Sequence, residues 1–112
     1  MGRVMTTLKP VYRPRASYDI ESVVAYIGHV LDSPNAARAW YEQMKGAVSL
    51  LCQNPDLGRP FEDDRLALKD RRSFLVGKYR LFYSYSADTL TVWRVVHTSQ
   101  DMDDYALVDL VD

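Results

Sequence analysis

The sequence predicts an α+β fold: an N-terminal strand, a two-helix hairpin, then a three-stranded antiparallel meander packed on the helices, and a short C-terminal helix. Apolar residues recur with a helical period between residues 17 and 53 and with a period of two between residues 73 and 97. The chain has 112 residues, 47% of them hydrophobic, which suits one core. We expect a single domain over residues 8–112 behind a flexible leader at residues 1–7.

The first half of the chain reads as a strand followed by two helices. Residues 8–13 form a strand that its prolines restrict to a sheet edge. A helix over residues 17–32 carries the apolar stripe Ile20, Val23, Val24, Ile27, Val30 and Leu31. Ser33 is a good N-cap and Pro34 a good first residue for the second helix, which Asn54-Pro55 ends. Its stripe is Ala37, Trp40, Met44, Val48 and Leu51.

The second half reads as strands. Alternating residues predict strands over residues 73–76, 79–86 and 90–97, joined by turns at Gly77-Lys78 and Ala87-Asp88. Residues 101–111 can form a short helix, with Met102, Tyr105 and Val108 on its apolar side.

The turn at Ala87-Asp88 predicts which side chains share a sheet face. Residues whose numbers sum to 175 then lie opposite each other, so Phe82 faces Trp93. Arg80 likewise faces Val95, and Lys78 faces His97. The opposite face is mostly apolar and should pack on the helices. The open face would carry Lys78, Arg80 and His97, the aromatic residues Phe82 and Trp93, and Arg71.

Such a face could bind a partner, because arginine and lysine hold phosphate or carboxylate and aromatic rings stack bases or anchor a peptide. A structural interpretation is equally open. In that case Phe82 and Trp93 are an ordinary cross-strand pair under the C-terminal helix, and His97 only caps a strand end.

Charge is distributed unevenly along the chain. Residues 66–100 hold 6 basic and 2 acidic side chains, whereas residues 101–112 hold five aspartates and no base. The basic segment could meet an anionic partner, or it could be ordinary solvated charge.

The sequence lacks the residues that several common kinds of functional site require. Cys52 is the single cysteine, so the sequence has no disulfide framework. His29 is alone on its helix, and Cys52 and His97 are far apart in the sequence, so metal-ligand spacing is also lacking. The sequence contains no G-x-S-x-G elbow, no phosphate-binding glycine loop, and no apolar run of membrane-spanning length. We expect a cytoplasmic protein with no cofactor, no metal and no membrane partner.

Three motifs in order resemble the ParE branch of the RelE/ParE toxin superfamily. They are Asn54-Pro55-Asp56-Leu57-Gly58-Arg59-Pro60, Gly77-Lys78-Tyr79-Arg80-Leu81-Phe82-Tyr83, and Val95-Val96-His97-Thr98-Ser99-Gln100-Asp101. The resemblance implies a prokaryotic plasmid-stabilisation or chromosomal toxin that forms a hetero-oligomer with a ParD-like antitoxin. ParE-like toxins poison DNA gyrase, so the chain would be an inhibitor rather than an enzyme.

RelE-like members of the same fold instead cut messenger RNA on the ribosome without metal. In that alternative the chain is an endoribonuclease, nucleic acid is a partner, and Arg80 and His97 are the catalytic candidates. Thr98 stands where those nucleases tend to have an aromatic hydroxyl, which favours gyrase inhibition, or a degenerate nuclease, over an active nuclease. A third alternative is a non-toxic binding module.

Four residues are candidates for target contact: Arg59, Arg80, Arg94 and His97. Electrostatic support would come from Arg71, Arg72 and Lys78, and aromatic contact from Phe82 and Trp93. For Arg94 the structural alternative is an ion pair with Asp19 or Glu21. An acidic, amphipathic antitoxin segment would complement the basic residues.

Overall fold

One five-stranded sheet carries a helical hairpin on one side and residues 102–111, which we call the C-terminal segment, on the other. A computed structural model describes residues 7–67 and 69–111. Most of the predicted leader, residues 1–7, lies outside the described residues. The strands are β1 (Lys9–Tyr12), β2 (Arg59–Pro60), β3 (Arg72–Val76), β4 (Tyr79–Tyr85) and β5 (Thr89–His97), and the helices are α1 (Pro14–Ala25), α2 (Pro34–Gln53) and α3 (Asp104–Val108). This architecture confirms the predicted α+β class.

The sheet has the order β1-β5-β4-β3-β2. Strands β3, β4 and β5 form the predicted antiparallel meander. Strand β1 runs parallel to β5, and β2 pairs with β3 through Arg59 opposite Ser73. Pro10 and Pro60 therefore both lie on edge strands, where the missing N–H of proline is tolerated. Strand β2 lies between the second helix and the strand predicted over residues 73–76, where the sequence analysis predicted no element.

The helical hairpin begins earlier than the apolar stripe predicts. Pro14 starts α1, and the helix continues into a π-helical turn over Tyr26–Val30, closed by a hydrogen bond from the Leu31 N–H to the Tyr26 carbonyl. Helix α2 has its predicted bounds, but the Ser33 side chain makes no capping bond. None of the helices in the described ranges is long and apolar enough to cross a membrane.

Two cores lie on the two faces of the sheet. The inner face packs against the hairpin. The fully buried side chains of this inner core include Met44 and Leu51 from α2 and Leu81 and Tyr83 from β4. The outer face packs against residues 61–66 and the C-terminal segment. Its buried residues are Leu66, Phe82, Trp93, Val96, Leu107 and Leu110. Each large apolar side chain buried in either core stabilises the fold by roughly 1.5–3 kcal/mol.

The C-terminal helix turns a different side to the sheet from the one predicted. Tyr105 and Val108 are exposed, whereas Leu107 and Leu110 are buried on the outer face. Asp103 caps the helix by accepting a hydrogen bond from the Ala106 N–H at 2.9 Å.

A β-bulge interrupts the pairing of β4 with β5. Tyr83 lies opposite Val92, as predicted, but Phe82 lies opposite Arg94, so Trp93 is an extra residue in β5. Beyond the bulge the predicted register is wrong by one residue.

The turn that precedes β2 is fastened to β4 by Tyr83. The Tyr83 hydroxyl donates a hydrogen bond to the Pro55 carbonyl at 2.5 Å and accepts one from the Gly58 N–H at 3.0 Å. The Arg72 guanidinium donates to the Gly58 carbonyl at 2.7 Å. Burial raises the pKa of the Tyr83 phenol above its ordinary value.

This raised pKa gives a prediction about alkaline stability. A group whose pKa is higher in the folded state contributes stability that is present below its unfolded pKa, about 10 for tyrosine, and is lost as pH rises through the folded value. Tyr83→Phe should lower the free energy of unfolding at pH 7 by about 1–3 kcal/mol, because two backbone groups lose their partner. It should also flatten the further loss above about pH 10. Urea denaturation between pH 7 and 11 measures both effects.

Tyr105→Phe is the matched control, because Tyr105 is 87% exposed. It should follow the parent protein at every pH. Parallel curves for the parent and Tyr83→Phe above pH 10 would contradict the proposed origin of the alkaline loss.

Candidate functional site

The shifted register changes which face several candidate residues occupy. Arg80 lies opposite Val96, and His97 lies opposite Tyr79. The predicted pairs of Arg80 with Val95 and of Lys78 with His97 are therefore wrong. Because Tyr79 packs on the inner core, His97 shares the inner face, while Arg80 shares the outer face with Val96.

Phe82 and Trp93 are not exposed aromatic residues. Phe82 is fully buried and Trp93 is 5% exposed, because the C-terminal segment covers them. The Trp93 indole N–H donates to the Ser84 hydroxyl at 2.9 Å. The prediction of an open aromatic face is therefore wrong, and burial under the C-terminal segment is confirmed, although the bulge prevents the two rings from lying directly opposite each other.

Arg71 is part of that outer core rather than of a free basic surface. It is 3% exposed, and its guanidinium carbon lies 4.1 Å from the centroid of the Trp93 ring. Its Nε donates to the Leu110 carbonyl, and Asp70 accepts from Nη1. These contacts hold the C-terminal segment on the sheet.

Arg94 is buried in an ion pair. Its Nε and Nη2 donate to the two carboxylate oxygens of Asp19 at 2.9 and 3.0 Å, and the Val95 N–H donates to Asp19 Oδ2 at 2.9 Å. Strand β1 ends opposite Val92, so no strand flanks β5 on this side of Arg94 and its side chain reaches α1. The structural alternative, pairing with Asp19, is confirmed.

The Arg72 guanidinium also has partners within the protein. Besides its bond to the Gly58 carbonyl, it forms an ion pair with Asp56 at 3.4 Å. Its charge therefore supports the turn before β2.

Two of the remaining basic candidates, Arg59 and Arg80, lie on the outer face with Leu75, and Lys78 belongs to the adjoining turn. We call Arg59, Leu75, Lys78 and Arg80 the outer-face patch. Leu75 lies opposite Arg80, and Arg59 lies opposite Ser73, two residues before Leu75 on the same side of β3. Leu75 is 59% exposed. Within residues 7–67 and 69–111, none of the three cations of the patch forms an ion pair.

His97 is oriented by its own strand end. Its Nδ1 accepts a hydrogen bond from the Ser99 N–H at 3.0 Å, and the Ser99 hydroxyl lies 2.7 Å from the same nitrogen. This arrangement assigns the proton of the neutral ring to Nε2. The ring also contacts the Tyr79 ring edge-on, with centroids 5.2 Å apart.

Arg80 and His97 both line a hollow of about 10 Å³ at the end of the strands. General acid and base groups must converge on one reacting atom within hydrogen-bonding distance. Here the two side chains belong to opposite faces of the sheet, and the hollow is too small for a nucleotide.

The sequence analysis missed Leu75 as a site residue. Its signal was present, because Leu75 is an apolar residue at a position of β3 that alternates with the inward-facing Phe74 and Val76. A single exposed apolar residue is common on protein surfaces, so what singles out Leu75 is its position on the same face as Arg59 and Arg80.

One family model matches most of the chain. The model of the family described as "ParE toxin of type II toxin-antitoxin system, parDE" matches residues 11–102. No curated protein sequence matches the chain.

Solved structures share the fold. A chain from the chromosomal ParDE toxin–antitoxin system of P. aeruginosa superposes with a TM-score of 0.67 at 17% identity, covering 81% of this chain and 96% of that one. The RelBE2 toxin–antitoxin complex from Mycobacterium tuberculosis gives 0.58 at 21% identity, covering 87% and 98%. The YoeB dimer from Staphylococcus aureus gives 0.58 at 14% identity, covering 82% and 98%.

Proposed function

Because the chain belongs to the ParE toxin family of type II toxin–antitoxin systems, we propose that it inhibits DNA gyrase by direct protein–protein contact through the outer-face patch. The observation that carries the proposal is the group of three cations near the exposed Leu75, none of which pairs with a carboxylate of residues 7–67 or 69–111. An apolar residue rimmed by free arginines is typical of a contact surface for an acidic partner.

The same geometry argues against RNA cleavage as the principal activity. Cleavage needs a proton acceptor and a phosphate-binding cation at one point. His97 Nδ1 is engaged by Ser99 on the inner face, and Arg80 projects from the outer face. Thr98, exposed at the strand end, offers no phenol.

A cognate antitoxin is the second proposed partner, in a hetero-oligomer that neutralises the toxin. An acidic amphipathic segment of the antitoxin would complement the outer-face patch and exclude the target. The attraction is smaller than the charge of residues 66–100 suggests, because Arg71, Arg72 and Arg94 are neutralised internally. We also propose that the toxin acts in the cytoplasm, where both partners would be found.

Gyrase inhibition tests the proposal. Purified toxin, gyrase, ATP and plasmid DNA are combined, and lost supercoiling or accumulated cleaved plasmid is measured on a gel. Arg59→Ala/Arg80→Ala should require at least about tenfold more protein for the same effect, because it removes two charges of the patch. Arg38→Ala removes an exposed arginine from α2 and should match the parent.

A ribosome assay of message cleavage, run on the same samples, separates the alternatives. Inhibition of gyrase that is equally strong in the double variant would place the contact elsewhere. Cleaved message without any effect on gyrase would identify a ribonuclease. Inactivity of the folded toxin in both assays would leave the binding-module alternative.

A further inference from the structure

A second cleft lies between α1 and the strand ends, on the opposite side of the sheet from the outer-face patch. Its volume is about 420 Å³, within the range of small-molecule sites. The helix wall is one stripe of α1, at spacings of three and four residues, that continues into the π-helical turn. Its side chains are Arg15, Tyr18, Ser22 and Tyr26, and the strand wall includes Tyr79 and His97.

The only carboxylate lining this cleft has no free hydrogen-bonding capacity. Asp19 accepts from Arg94 Nε, from Arg94 Nη2 and from the Val95 N–H, and it forms a further ion pair with Arg15 Nε at 3.3 Å. Four donors therefore satisfy its two oxygens. A ligand in the cleft cannot use Asp19 as an acceptor or as a base.

The groups left over in the cleft are mainly donors. The Arg15 ion pair uses Nε, which leaves the terminal nitrogens of a 47% exposed side chain. His97 presents Nε2–H, since Nδ1 is the acceptor for Ser99. Burial and the nearby Tyr26 phenol raise the pKa of Tyr79, so its hydroxyl stays protonated at neutral pH. The lining side chains carry two cations against one anion, and such an inventory favours a bound anion.

The cleft also has uncovered aromatic walls. Tyr18 is 62% exposed and Tyr26 is 51% exposed. The Arg15 guanidinium carbon lies 5.3 Å from the centroid of the Tyr18 ring, which places a cation beside an aromatic surface. Exposed tyrosine rings next to arginine are typical of sites that stack a nucleobase and hold its phosphate.

We propose that this cleft binds a nucleotide, with the phosphate held by Arg15 and His97 and the base stacked on Tyr18 or Tyr26. Binding occurs without cleavage, because Asp19 is saturated and Arg80 lies on the other face. The proposal goes beyond gyrase inhibition and does not rest on it, since it uses no residue of the outer-face patch.

The test is a titration of the full ¹⁵N-labelled chain with guanosine 5′-monophosphate, guanosine and inorganic phosphate, followed by NMR. The nucleotide should bind at least about tenfold more tightly than either part alone, because both contacts act together. Amide shifts should be concentrated in residues 15–26 and 97–100. Arg15→Gln and Tyr18→Ala should each weaken binding by at least about fivefold, and both residues are exposed enough for the variants to fold.

Arg38→Gln, an exposed arginine of α2 outside the cleft, is the matched control and should bind as the parent does. Arg80→Gln should also retain binding, which separates this test from the gyrase assay. Equal affinity for the nucleotide and for phosphate, unchanged binding by both cleft variants, or shifts confined to residues 75–80 would overturn the proposal. Breakdown of the nucleotide during the titration would overturn binding without cleavage.

Discussion

Replacing Asp19 with alanine is expected to lower the free energy of unfolding by about 3–5 kcal/mol, the range for removing one partner of a buried ion pair. Asp19 is 7% exposed and Arg94 is 4% exposed. Without the carboxylate, the Arg94 guanidinium and the Val95 N–H stay buried with no close acceptor. Asp109 lies 3.8 Å from Arg94 Nη1 and is more exposed, so it cannot replace two direct hydrogen bonds.

Arg15→Ala is the matched control, because it removes a different cation from the same carboxylate. Arg15 is 47% exposed, so its loss should cost less than about 1 kcal/mol. Chemical denaturation measures both variants, and the midpoint temperature should fall by roughly 15 °C or more for Asp19→Ala. Equal losses for the two variants would contradict the buried-pair interpretation.

A double variant separates two contributions to the free energy of unfolding: the stabilisation by the ion pair and the cost of leaving one buried charge unpaired. Asp19→Ala/Arg94→Met leaves no buried charge, so it should be more stable than Asp19→Ala alone. Some loss should persist, because the Val95 N–H still lacks its acceptor. A double variant less stable than the single one would show that Arg94 stabilises the fold through contacts other than Asp19.

Local patterns predicted the elements of this fold because each helix and long strand repeats its signal over several turns or residue pairs. The bounds of α2 follow from Pro34 at its start and Asn54 at its end. Strand β2 has only two residues and exists because Arg59 and Pro60 pair with β3. No period can be read from two residues, so this strand could not be predicted.

The wrong strand pairings at the candidate site have one physical origin. A single extra residue, Trp93, shifts the register of β5 and moves His97 to the inner face. No glycine marks this bulge in the sequence. Arg80 lies on the outer face, as predicted. Its face depends on the hairpin of β3 and β4, in which Arg80 pairs with Leu75, and not on the register of β5.

Contacts distant in sequence decided which arginines are free. Arg71 pairs with a carbonyl 39 residues away, and Arg94 with a carboxylate 75 residues away. The periodicity of a strand contains no information about such partners, so the sequence overestimated the exposed positive charge.

Gly58→Ala is expected to destabilise the protein by about 2–4 kcal/mol through overpacking. A methyl group at this position would lie 2.5 Å from the Tyr83 hydroxyl oxygen and 2.8 Å from the backbone carbonyl oxygen of Ser73. Tyr83 is fully buried and Ser73 belongs to β3, so neither can move aside cheaply. The φ angle of Gly58 is −71°, which any residue adopts, so lack of space rather than backbone conformation requires glycine here.

Gly46→Ala is the matched control, because a methyl group there would meet no atom within 4 Å. Gly46 lies inside α2, so this variant should be more stable than the parent by about 0.5–1 kcal/mol. Tyr83→Phe in the Gly58→Ala background removes one close contact but leaves the Ser73 carbonyl, so it should not restore the parent's stability. Denaturant midpoints measure all three variants, and a stable Gly58→Ala protein would contradict the proposed crowding.

The same substitution should affect function, because Gly58 directly precedes Arg59 of the outer-face patch. If the turn is displaced to accommodate a methyl group, β2 loses its register on β3 and Arg59 moves away from Arg80. Under the proposed function, folded Gly58→Ala should then inhibit gyrase less strongly than Gly46→Ala at the same concentration. The glycine in the motif Asn54-Pro55-Asp56-Leu57-Gly58-Arg59-Pro60 thus lets the turn approach Tyr83 closely enough to keep Arg59 paired with β3.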